Sequence, residues 1–143
     1  MSGVLDLSNE HPDSVLTVIE WLYGKATFPN FPYGSWAPLY ALADKFDIPN
    51  LKACVVVFYQ QVTHNMALEA IEDVLRDLEH EVREIFGGTV SSDRGLRDPL
   101  VSLVLYKLKE IKTEEHRAFF EKALCASEAF AREITMRLIG AFK

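Results

Sequence analysis

Apolar residues recur at helical spacing along most of the chain, and punctuating residues mark where one helix gives way to the next. "VLDL", Val4 to Leu7, alternates weakly and runs into Ser8, Asn9 and Glu10, which predicts a short strand and a turn. Pro12 then stands near a first helical position and Asp13 in the first turn. Val15, Val18, Ile19, Leu22 and Tyr23 follow at helical spacing until Gly24, leaving Trp21 on the outer side. Between Lys25 and Ser35 prolines and glycines leave no room for a helix, so Phe28, Phe31 and Tyr33 fall on an extended loop packed over the core. Ser35 can cap a second helix with Leu39, Leu42, Ala43 and Phe46 inward. Pro49 opens a third, carrying Leu51, Cys54, Val55, Phe58 and Val62.

Beyond Thr63 the spacing tightens. Leu68, Ile71, Leu75, Leu78, Val82 and Ile85 alternate three- and four-residue steps, which predicts a narrow apolar seam on a helix whose other faces are acidic. A seam this short is marginal alone, so it docks on the rest of the chain or, failing that, on a second molecule. "GGTVSSDRG", Gly87 to Gly95, reads as a hinge or flexible linker. Asp98 and Pro99 start a helix that is apolar over a wide arc through Leu100, Val101, Leu103, Val104, Leu105 and Leu108, as a central helix would be. Thr113, Glu114 and Glu115 open a last helical stretch reaching Gly140, with a bend available near Cys125 to Ser127. The predicted fold is mainly α: a helical bundle with at most one short N-terminal strand, in which residues 1–63 and 64–143 pack as one unit.

Composition narrows the function classes. The chain is 49% apolar and 25% charged, values of a folded globular protein rather than a disordered one. Its net charge of −6 works against nucleic acid and anionic membranes, which recruit proteins through a positive field. Most of the acidic excess lies between Asn65 and Phe86. Cys54 and Cys125 sit within apolar helical patterns, give no disulfide framework and fit a reducing compartment. The longest apolar run, Cys54 to Phe58, is far short of the roughly 18 residues that would span a bilayer. The expected location is cytoplasmic or nuclear.

Candidate chemistry is sparse. His11, His64, His80 and His116 form no ligand cluster and the two cysteines have no metal-site spacing, so no metal, cofactor or catalytic residue is expected. The acids of the seam-bearing helix read as a solvated surface rather than a desolvated acid–base pair. The rival reading is a small-molecule-binding or catalytic helical domain, with Cys54, Cys125 or His80 brought into a closed pocket by the fold. Aromatic residues from Trp21 to Trp36 are read as core and loop packing or as a peptide-binding surface, since only Lys25 interleaves them.

Two blocks then stand out together. "VLDLSNEHPDSVLTVIEWLYGKATF" followed by "LYALADKFDIPNLKACVVVF" resembles the C-terminal half of a BTB/POZ domain over Val4 to Gln61, with "WLYGKA" and "LADKFDIPNLK" as its two signatures in order. "AIEDVL" and "GLRDPLVSLVLYKL" are similar, more faintly, to the helical extension of fungal members. The resemblance implies a noncatalytic protein–protein interaction module, in its narrower forms a ubiquitin-ligase adaptor or a transcriptional scaffold. It also implies that a first helix, early strands and a cullin-gripping segment would precede Val4. Residues such a half would cover form the expected interaction surface: Val4, Leu5, Leu7, Trp21, Phe28, Phe31, Tyr33 and Trp36. A second copy of the chain is one expected partner, and a cullin another by analogy alone.

Overall fold

Local chemistry sets the ends of the helices. In the computed structural model, which describes residues 12–24 and 36–140, α1 (Pro12–Leu22) begins at a proline and closes on Gly24. Gly24 has φ 73° and donates its N–H to the Trp21 carbonyl at 3.0 Å, a left-handed stop that glycine adopts without strain. α2 (Trp36–Lys45) ends in a Schellman turn: the Ile48 N–H reaches back to the Ala43 carbonyl at 2.8 Å while Asp47 takes φ 55°. Pro49 then starts α3 (Pro49–Met66), where a missing N–H costs nothing.

The second half contributes α4 (Ile71–Gly88), α5 (Arg97–Lys107) with a 3₁₀ turn at Leu108–Glu110, α6 (Glu114–Ala126) and α7 (Glu128–Gly140). Thr113 caps α6 by accepting the His116 N–H at 3.0 Å. The bend expected near Cys125 to Ser127 is a full break, since Ser127 accepts the Phe130 N–H at 3.2 Å and starts a new helix. The described residues thus form a mainly α bundle of seven helices, with no strand among them. The strand expected at Val4 to Leu7, the aromatic loop and the Ser35 cap lie outside the described residues.

One contiguous core runs through the bundle. Leu39, Leu42 and Ala43 of α2, Leu51, Val55 and Tyr59 of α3, and Leu75, Leu78, Val82 and Ile85 of α4 belong to it, together with residues of α5, α6 and α7. Phe130 sits edge-on to Phe86 at 5.4 Å, and Trp36 stacks on Phe58 at 6.3 Å. Each fully buried aliphatic or aromatic side chain of this kind contributes about 1.5–3 kcal/mol. The inward line of α3 is the i, i+4 ridge Leu51, Val55, Tyr59 and Thr63, so Cys54, Phe58 and Val62 lie at its edge, half-buried. α4 buries a wider arc than a narrow seam, taking in Val74, Glu81 and Phe86, while Leu68 falls before the helix and is exposed.

Of the stretch Gly87 to Gly95, expected to be a hinge or flexible linker, Gly87 and Gly88 end α4 and the rest is tied down at three points. The Tyr40 hydroxyl donates to Asp93 Oδ1 at 2.5 Å, and Lys52 bridges Asp44 at 2.9 Å and Asp93 at 3.4 Å. Arg94 pairs with Glu133 of α7 and with Asp98. Arg97, itself buried, donates to Thr89 Oγ1 at 2.8 Å and to the carbonyls of Thr89 and Phe86 at 2.6 and 3.3 Å, closing the carbonyl end of α4. Gly95 is required here, because a Cβ would stand 2.7 Å from Tyr40 Oη and 2.9 Å from Val56 Cγ2.

Candidate functional site

α1 buries only part of its apolar pattern. Ser14, Thr17 and Val18 are buried, whereas Leu16, Ile19, Leu22 and Tyr23 are exposed, the last two by 67% and 77%. α1 packs on α2, and its core-facing residues are Val18, buried, with Val15 and Trp21 half-buried against the core. Ile19, Leu22 and Tyr23, read from periodicity as part of the packed set, therefore belong to an outward apolar stripe with Leu16. Trp21 is half-buried against the core. Trp36, expected on the partner-facing surface, is 1% exposed and belongs to the interior, because it begins α2 on the side that stacks on Phe58. Val4, Leu5, Leu7, Phe28, Phe31 and Tyr33 lie outside the described residues.

A second face runs along the outside of α3 and onto α5. Ala53, Val57, Gln60, Gln61 and His64 point outward on α3, opposite its buried ridge. None carries a formal charge, and the sequence has no Asp, Glu, Lys or Arg from Ala53 to Leu68. Beside this strip lies an open groove of about 500 Å³ between α3 and α5, lined by Gln60, Thr63, Leu68, Pro99, Leu103 and Tyr106, among others. Leu68 is 79% and Tyr106 52% exposed. Periodicity missed this face, but the charge-free run was readable in the sequence.

The most unusual buried group is Glu81 of α4, at 1% exposure. Neither carboxylate oxygen has a partner of proper hydrogen-bond geometry. Burial pushes its carboxyl up to about 8, against the Tyr59 hydroxyl, which favours the charged form, and with added repulsion from Glu84 and Asp77. Burial thus favours the neutral form of Glu81, and its place in the interior corrects the reading of every acid on α4 as solvated. A signal existed, since Glu81 is seven residues from Val74 and so shares its arc. Lys107 is also buried, and it donates to the Glu69 carbonyl and pairs with Glu110 at 2.9 Å.

The reactive side chains stay apart from any such site. Cys54 is half-buried and burial raises its thiol, which disfavours the nucleophilic thiolate, while Cys125 is exposed on α6. His116 pairs with Glu72 at 2.9 Å, joining the starts of α6 and α4, and a backbone hydrogen bond, with this pairing second, holds the Glu72 carboxyl below its usual range. Among the described residues no group of three or more His, Cys, Asp or Glu could hold a metal ion, and no helix is long and apolar enough to cross a membrane. No protein-family model matches the chain, and neither a curated protein nor a solved structure matches it.

Proposed function

We propose that the chain is a noncatalytic protein–protein interaction module of the BTB/POZ type. The observation that carries this reading is the apolar stripe on α1, where Leu16, Ile19, Leu22 and Tyr23 are open to solvent while Val15, Val18 and Trp21 pack on the core. Such an exposed stripe gains about 25 cal/mol for each Å² that a second polypeptide removes from water. The occupant of this stripe is an uncharged apolar face on another protein. The resemblance over Val4 to Gln61 supports the same class independently, and the adaptor and scaffold roles are its narrower forms.

The test is affinity purification from cell extract with the chain and with a Leu16→Glu, Leu22→Glu variant, read by mass spectrometry. A polypeptide held by the first and lost from the second, with helical circular dichroism equal in both, supports the reading. Identical retention by the two counts against it. A cullin among the retained chains selects the ligase-adaptor form and its absence removes that form. Thiol titration on folded protein separates the catalytic rival: Cys125 should react at an ordinary rate and Cys54 slowly, and one fast thiol would favour catalysis.

A further inference from the structure

We infer that Glu81 makes the α3–α4 cleft a proton-operated latch: the cleft stays shut while this carboxyl is neutral and parts, with the rest of the bundle folded, when it ionises. This latch is separate from the partner-binding stripe on α1. An open cleft of about 400 Å³ lies between the end of α3 and the start of α4, with Val62 and Met66 on one wall and Asp73 and Asp77 on the other, among others. Glu81 follows Asp77 by one turn of α4, and Tyr59 precedes Val62 by one turn of α3, so these two stand where the cleft closes into the bundle. Glu81 is 1% exposed there, with both carboxylate oxygens shielded from solvent and without a partner of proper geometry.

Among the described residues no cation compensates this carboxyl. The Tyr59 hydroxyl, from α3, favours its charge, while Asp77 and Glu84 on α4 itself oppose it. α5 supplies two buried cations, and both are engaged beyond the ends of α4: Arg97 with the Phe86 and Thr89 carbonyls, Lys107 with the Glu69 carbonyl and Glu110. His116 of α6 is held by Glu72, near the start of α4, and Tyr40 of α2 by Asp93. The buried face of α7 is apolar, with Phe130 and Ile134. An ionised Glu81 therefore has no counter-charge inside, and hydration is its cheapest relief. The seam between α3 and α4 is where water enters. α4 packs chiefly on α6, and α3 on α2 and α5, so the α3–α4 seam is the thinner contact. Only a satellite cluster of Met66, Val74 and Leu103, apart from the main core, closes it. Parting the seam hydrates Glu81 and bares Val62 and Met66, while the α4–α6 and α2–α3 packing persists. Burial pushes the carboxyl up to about 8, and with a latch of this kind that value is the pH at which half the molecules are open.

Native-state hydrogen exchange on the full chain, read by mass spectrometry from about pH 6 to about pH 8 in urea below the unfolding transition, tests this. Hydroxide catalysis alone speeds an amide about tenfold per pH unit, and an opening linked to loss of one proton multiplies that by about ten again. Amides of residues 59–66 and 74–85 should therefore exchange about a hundredfold faster per unit. Their rates should hardly change with urea, because the opening exposes little surface. In Glu81→Gln, which keeps the shape and removes the proton, the same amides should return to about tenfold per unit, and Glu81→Leu should agree. A parent with about tenfold dependence in these amides overturns the inference, since Glu81 then ionises without an opening or stays neutral. A hundredfold dependence that climbs steeply with urea overturns it too, placing the ionisation in the globally unfolded chain. So does one that survives both substitutions.

Discussion

α4 and α1 are both read from the sequence as amphipathic helices, and the bundle buries the apolar pattern of the first but only part of that of the second. α4 turns its apolar arc inward and packs against α2, α5, α6 and α7, with Glu81 as the one acid carried into the interior. α1 packs Val15, Val18 and Trp21 on the core and leaves Leu16, Ile19 and Leu22 exposed. A helix whose partners all come from its own chain shows a pattern that agrees with its packing. Where pattern and packing disagree, tertiary contact rather than periodicity has decided the facing, and that disagreement is the most informative feature of the molecule.

The comparison breaks most sharply at Glu81. In the unfolded chain its carboxyl titrates near the ordinary value of 4.5, and in the folded chain at about 8. Between these values unfolding releases a proton, so stability falls as pH rises through this window and levels off above it, by about 1.4 kcal/mol per unit and about 5 kcal/mol in all. Asp93 works in the opposite sense at acid pH. Burial opposes its charge, but Tyr40, the Gly95 N–H and Lys52 hold its carboxyl below the usual range, so its contribution is lost only as pH falls through that lowered value. Urea denaturation from pH 5 to 9 should show parent stability declining and a Glu81→Leu variant losing that decline while gaining stability at pH 8. A flat parent profile would mean Glu81 is hydrated or paired in solution.

Leu78, on the same arc and fully buried, sets the next step. Leu78→Ala should cost about 2–5 kcal/mol, read as a lower denaturation midpoint with an unchanged slope. A loss under 1 kcal/mol would remove the contrast with α1.

Gly95 then tests whether the two halves are joined by a hinge or a clamp. Its missing Cβ would fall 2.7 Å from Tyr40 Oη, so Gly95→Ala must displace the Tyr40 ring and its bond to Asp93, at about 1–3 kcal/mol. The same change in a free linker would be neutral or slightly stabilising. Thermal melts of the two proteins decide between these.

What was legible in the sequence follows one physical division. Helix ends were legible at Pro12, Gly24, Pro49 and Thr113, because a cap or a stop depends on residues within a turn of itself. The mainly α class was legible for the same reason. Facing was not, since periodicity gives an apolar stripe and tertiary contact decides where it points. Hence Leu22 and Tyr23 of α1 changed sides and Tyr59 displaced Cys54 from the ridge of α3. Buried charges were illegible where their partners are remote: Lys107 meets the Glu69 carbonyl 38 positions away, and Arg97 closes the end of the preceding helix. The candidate faces came from the structure, although the uncharged run from Ala53 to Leu68 was visible all along.

The smallest expected effect is the one that sharpens the comparison furthest. Leu16→Gln with Leu22→Gln keeps helix propensity nearly constant, so any stability change reports the environment of the two side chains. In water, where Leu16 is 55% and Leu22 67% exposed, the pair should change the unfolding free energy by no more than about 0.5 kcal/mol. Were another part of the same chain covering the stripe, each leucine would instead cost about 1.5–3 kcal/mol and the double variant would visibly lower the midpoint. A neutral result in the isolated chain, set beside lost partner retention by the Glu variant, would locate the stabilising contact for α1 on a second polypeptide.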